Sequence, residues 1–228
     1  MSGRGAVHGI TGVPDAGAFL ARLVRLEPAA LVRLRPVGAP ARTALWARLP
    51  WGVLVVRTVA GAGAGDVTVA AGRLLAELAA GRAALPATLD AQWRWALPPA
   101  ASRRVETLPG AEVLRLAEAA AGTLREAAEH GVAGRAVGQR ALRDALLDHV
   151  AVVVTPDEEP GRPVEVTQRV VQGLVRMGFL GPCGDSPDQG VQVRSAGRWV
   201  GLVGPYGAAW LRKATDLVVR PAAAHAKG

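Results

Sequence analysis

LVRLRPVGAPARTALWARLPWGVLVVRTV, residues 31–59, is the stretch whose reading decides the fold. It holds three strand-like runs, Leu31–Val37, Thr43–Leu49 and Val53–Val59, rich in β-branched and aromatic residues. The links between them, Gly38-Ala39-Pro40-Ala41 and Pro50-Trp51-Gly52, carry turn chemistry and are too short for a crossover. The runs are therefore expected as an antiparallel meander. Alternation places Val32, Leu34, Leu45, Leu49, Leu54 and Val56 on one face. Arg33, Arg35, Trp46, Arg48 and Arg57 fall on the other, with Val53, Val55 and Val59.

Working outward, Phe19, Leu20, Leu23, Val24 and Leu26 recur at helical spacing and predict a helix over Pro14–Leu26, stopped at Glu27-Pro28. Beyond the meander lies Gly61-Ala62-Gly63-Ala64-Gly65, then Asp66 as the N-cap of a helix running to Gly81. Residues 82–109 read as irregular, with four prolines and the pair Trp93/Trp95, and the domain boundary is expected there. Pro109–His130 has an apolar stripe and a glycine stop. A second helix covers about Val137–Asp148, and Val150–Val154 reads as a strand. Thr155–Pro163 is an acidic loop, and a third helix, Val164–Met177, ends at Gly178 with Phe179 as the apolar residue after the glycine. Val191–Arg194 and Trp199–Val203 read as a hairpin, Pro205–Lys213 as a short helix or turn, and the tail from Pro221 as disordered. No internal repeat is evident. The expectation is an α+β protein with a helix, meander and helix in residues 1–100, and a mainly helical unit with a wing-like hairpin in 101–220.

Of 228 residues, 27 are Lys or Arg and 19 Asp or Glu, for a net charge of +8. The excess is uneven: no carboxylate stands between Glu27 and Asp66 or between Asp188 and Asp216. An anionic partner, nucleic acid or an acidic protein, is the expectation. One cysteine, Cys183, excludes an internal disulfide and a Cys-based zinc site. No signal-type h-region or run of 18 apolar residues occurs, which favours a cytoplasmic protein without a membrane partner. His8 and His225 are expected in terminal tails, and no histidine pair has metal spacing. Arg140 and Arg143 beside Asp144 and Asp148 read as helix ion pairs. No catalytic constellation, metal site or cofactor is expected.

Helix, short strand, helix and hairpin over roughly residues 137–203 resemble a winged helix. That resemblance implies that Val164–Met177 enters a major groove, with Glu165, Gln168, Arg169, Gln172 and Arg176 facing out. Arg and Gln are the side chains that read guanine and adenine edges bidentately. Arg194 and Arg198 would sit at the wing, near phosphate. The same resemblance admits a protein-binding role. The Arg33/Arg35/Trp46/Arg48/Arg57 face is a second basic surface, suited to a single strand or else a face partly covered by the chain itself. Helix, meander, Gly-rich turn and helix also resemble the cofactor-binding half of GNAT acyltransferases, though Arg57 stands one residue too far from Gly61 and Gly63. The readings left open are a non-enzymatic DNA-associated or regulatory protein, an adaptor that self-associates, and a GNAT-like acyltransferase.

Overall fold

The computed structural model describes residues 6–38, 41–130, 139–155, 163–181 and 190–213. Asp157-Glu158-Glu159, Cys183 and the tail from Pro221 lie outside the described residues. Helix α1 (Val13–Leu26) carries Pro14 in its first turn and buries Ala16, Phe19, Leu20 and Leu23. Strands β1 (Leu31–Val37), β2 (Arg42–Arg48) and β3 (Leu54–Ala60) form the expected antiparallel meander. Gly52 closes the β2–β3 turn at φ 88°, a conformation that favours glycine.

The faces of β3 differ from the alternation reading by one residue. Trp46 stands opposite Val56, Arg48 opposite Leu54, and Leu45 opposite Arg57. Val53, Val55 and Val59 therefore share the helix-covered face with Val32, Leu34, Leu45 and Leu49. Leu54 and Val56 lie beneath Trp46 and other tryptophans on the second face. A strand buried on both sides has no polar side to fix its register from sequence. Arg57 consequently leaves the Arg/Trp face. It pairs with Asp15 of α1 at 2.5 Å and lies 5.5 Å from the Tyr206 ring centre.

No helix starts at Asp66. Val67–Ala70 forms strand β4 against β1, and α2 spans Ala71–Ala79. The glycines before it make a packed turn rather than an open cradle: Gly61 N donates to Ala41 O and Gly63 N to Gly9 O. Any Cβ at Gly61 would run into the Gly9–Thr11 backbone. That N-terminal segment is no tail. His8 is buried, its Nδ1 accepting from Ile10 N and its Nε2 bonded to Arg82 O.

After an irregular crossing with one 3-10 turn at Asp90–Gln92 come β5 (Arg103–Leu108), α3 (Gly110–His130) and α4 (Gln139–Asp148). Strands β6 (Val150–Val154) and β7 (Val164–Thr167) pair as a two-stranded ribbon. The expected Val164–Met177 helix is thus split: Val-Glu-Val-Thr is strand, and α5 is Gln168–Arg176. It ends as expected at Gly178, with Gly178 N bonded to Val175 O and Phe179 N to Leu174 O, a Schellman cap. The hairpin is β8 (Val191–Ala196) and β9 (Trp199–Gly204), and the segment expected as helix or turn is strand β10 (Gly207–Arg212).

Eight strands make one antiparallel sheet in the order β4-β1-β2-β3-β10-β9-β8-β5. Its middle is the β3–β10 pair, Leu54 opposite Trp210 and Val56 opposite Ala208. On either side of that seam a helix is followed by a three-stranded meander: α1-β1-β2-β3 and α5-β8-β9-β10. Phe19 of α1 and Phe179 after α5 stack at 6.3 Å, joining the two units beneath one face. The opposite face carries Trp46, Trp199 and Trp210 and is crossed by Trp93, Trp95 and Leu97. Five of the six tryptophans thus bind the 90–98 crossing to the seam. Among the described residues no helix is long and apolar enough to cross a membrane.

Candidate functional site

Helix α5 sets the geometry of the site. Gln168, Val170, Val171, Gln172, Gly173 and Leu174 are all buried. Gly173 lets the helix lie close on the sheet, where a Cβ would press on Val53 and Ala209. From the other side α3 covers it: Gln168 Nε2 donates to Leu116 O at 3.1 Å and Gln172 Nε2 to Ala117 O at 3.0 Å. The two glutamines expected to face out are instead buried, each donating a hydrogen bond to a carbonyl of α3. The hairpin β8–β9 is flanked by β5 and β10, so it is an interior pair of the sheet rather than a free wing.

Arg169 ties three elements together. Its Nε and Nη2 grip both carboxylate oxygens of Asp148 on α4 at 2.5 and 3.0 Å. Its Nη1 donates to Trp51 O at 2.7 Å, while Trp51 Nε1 donates back to Arg169 O at 3.0 Å. The Arg169 hydrogen bonds hold the Asp148 carboxyl below the usual carboxylate range, against the opposing effect of desolvation. Arg176 lies 5.6 Å from the Trp51 ring centre, so the indole at the β2–β3 turn is fixed by two arginines of α5.

Around this node opens a cleft of about 1870 Å³. One wall is α4 with Arg140 and Arg143; another is the end of the sheet with Arg103, Arg198, Arg212 and Lys213. Arg48, Arg125, Arg169 and Arg176 complete its cations, and its carboxylates are Asp144, Asp148 and Glu165. Ten cations face three anions, and two members of that set, Arg169 and Asp148, neutralise each other. Among the described residues Arg140 and Arg143 make no ion pair with Asp144 or Asp148, contrary to expectation, and Asp148 is instead held by Arg169. Among the described residues none of Arg103, Arg140, Arg143, Arg198, Arg212 and Lys213 reaches a carboxylate. Apolar groups, Leu26, Trp51, Leu124, Leu147 and Leu211, lie among these charges.

Of the residues singled out in the C-terminal half, Arg169, Gln172, Arg176 and Arg198 line this one cleft. Arg194 does not: it donates to Ser102 Oγ, Ser102 O and Gln192 Oε1, fixing the chain before β5. In the N-terminal half Arg33 forks onto Asp66 at 2.6 and 2.9 Å and lies over Trp93. Arg35 also approaches Asp66, and Trp46 is partly covered. Arg33 holds the Asp66 carboxyl below its ordinary value. Arg48 lies over Trp95 yet also reaches the cleft, joining the two basic regions. Arg103 was not singled out from the sequence, and Arg140 and Arg143 were read only as helix ion-pair partners. The carboxylate-free stretch ending at Asp216 had pointed to the neighbourhood of Arg212 and Lys213.

The model of the family described as Domain of unknown function (DUF8185) matches residues 97–216, more than half of the chain. The chain belongs to that family. Its DUF8185 segment spans β5 to β10 and supplies most of the cleft, while residues 9–95 match a second model, Domain of unknown function (DUF8010). No curated protein sequence matches the chain. Among solved structures it is similar to the DNA polymerase III subunit beta of Pseudomonas aeruginosa, with 13% identity, 92% of this chain and 66% of that one covered, and a TM-score of 0.51. It is likewise similar to the beta sliding clamp of C. crescentus, with 12% identity, 92% and 65% covered, and a TM-score of 0.51. The Helicobacter pylori beta clamp gives 10%, 91%, 65% and 0.50. The chain spans about two thirds of the length of these proteins, and what it shares with them is a fold.

Proposed function

We propose that the protein is a non-enzymatic, DNA-associated protein that holds nucleic acid in the cleft beside α5. The observation that carries this reading is the convergence of unpaired cations from α4 and from the sheet end onto one concavity. Unpaired guanidinium groups in a shared cleft repel one another and raise the local concentration of a polyanion. In this reading residues 101–220 supply most of the contacts, through Arg103, Arg140, Arg143, Arg198, Arg212 and Lys213. Arg169, Gln172 and Arg176 hold the floor in shape. The fold likeness to proteins named as DNA polymerase subunits supports the same assignment.

Release of counterions gives the test. With about six phosphates neutralised, affinity for DNA should fall about three orders of magnitude between 50 and 200 mM salt. Fluorescence anisotropy of a labelled oligonucleotide measures it. Binding that ignores salt, or no binding at 50 mM, would remove the proposal.

A further inference from the structure

Resting on that reading, we infer that the occupant of the cleft is a single strand rather than a duplex. The charges are arranged concavely. Arg140 and Arg143 stand on α4, and Arg198 and Lys213 face the same space from the sheet end. A duplex is read by an element that projects into its groove. The two candidates for that part are withheld: α5 is sandwiched between α3 and the sheet, and β8–β9 is paired on both edges.

Trp51 gives the second argument. It is half-buried, lines the cleft, and is locked through its Nε1 to Arg169 O and by Arg176 over its ring. Arg176 covers one face of the indole, and its half-exposed remainder, held in place beside unpaired cations, offers a base a surface to stack on, which requires a base that is not already enclosed in a double helix. Size agrees. Small-molecule pockets run to roughly 300–1,000 Å³, whereas this cleft is about 1870 Å³, room for several linked nucleotides.

The experiment is an anisotropy titration of the full chain with a labelled oligo-dT 20-mer and a 20-base-pair duplex at 50 mM salt, with polyglutamate as competitor. The expected result is at least tenfold tighter binding of oligo-dT, lost at least tenfold in the Arg140→Glu/Arg143→Glu variant. Both positions are exposed, so the fold survives, as circular dichroism checks. Arg73→Glu, on the exposed side of α2 and outside the cleft lining, should leave the affinity unchanged. Equal or tighter binding of the duplex overturns the single-strand inference and leaves the nucleic-acid proposal standing. Failure to bind either, or displacement by polyglutamate at equal charge, overturns both.

Discussion

Two segments of this chain are built to one plan and end in different surroundings. Val67–Gly81 and Val164–Gly178 each run as a four-residue strand, a nine-residue helix and a glycine in the left-handed region. Both helices close with the same paired bonds: Gly81 N to Leu78 O and Arg82 N to Glu77 O in the first, and their counterparts at Gly178 and Phe179 in the second. Yet α2 buries only Ala71, Leu74 and Leu78, a single stripe beside α1, whereas α5 is buried almost all round. Local sequence sets the strand, the helix and its stop. Position in the sheet decides whether the helix is a flank or the centre of a core. The polar residues of α5 are consequently bonded inward, and cations accumulate where α3 and α4 leave its N-terminal side open.

The sharpest way to break this comparison is at matched positions. Gln172 of α5 corresponds to Leu75 of α2. Gln172→Ala removes a buried hydrogen bond to the Ala117 carbonyl and leaves a gap between α5 and α3, and should cost on the order of 1–3 kcal/mol in a denaturant titration. Leu75→Ala, on a half-exposed site, should cost less. If Gln172→Ala leaves stability intact and lowers only DNA affinity, α5 is a reading helix after all.

The ion pairs give a smaller effect. Asp148–Arg169 joins α4 to α5, while Glu77–Arg82 lies on the surface at the end of α2. Both carboxyls sit below their ordinary pKa because each accepts hydrogen bonds from its arginine. A depressed carboxyl contributes stability above its unfolded pKa, near 4. That contribution is lost as pH falls through the folded value. Melting temperature should therefore drop between pH 5 and pH 3. Asp148→Asn and Glu77→Gln should each flatten part of that drop, Asp148→Asn the more, because its partner Arg169 is the more buried of the two arginines. Equal effects would mean that Asp148 is as free as any surface carboxylate.

Much of the fold was legible in residues 31–59. Turn residues, run length and β-branching are local, and they placed the meander; the same holds for α3 and the Gly178 stop. β10 was not legible, because Gly-Ala-Ala-Trp-Leu-Arg becomes a strand through pairing with β3, more than 140 residues away. β4 and β7 were hidden because each runs into its helix without a turn residue. The repeat they belong to survives as spacing rather than as sequence identity. Arg169, Arg176 and Arg198, singled out through the winged-helix resemblance, line the cleft. Arg140 and Arg143 were read as partners of Asp144 and Asp148, since nothing local reveals that Arg169 claims Asp148.

The cleft keeps its place only if the two helix–meander units share one sheet through β3 and β10. Native-state amide hydrogen exchange across that seam tests it most directly. Protection in Leu54–Val56 and Ala208–Trp210 equal to that of β2 is the predicted result, since the seam then opens only with the whole core. Exchange there that is fast while β2 stays protected would contradict it, and with it the placement of the cleft.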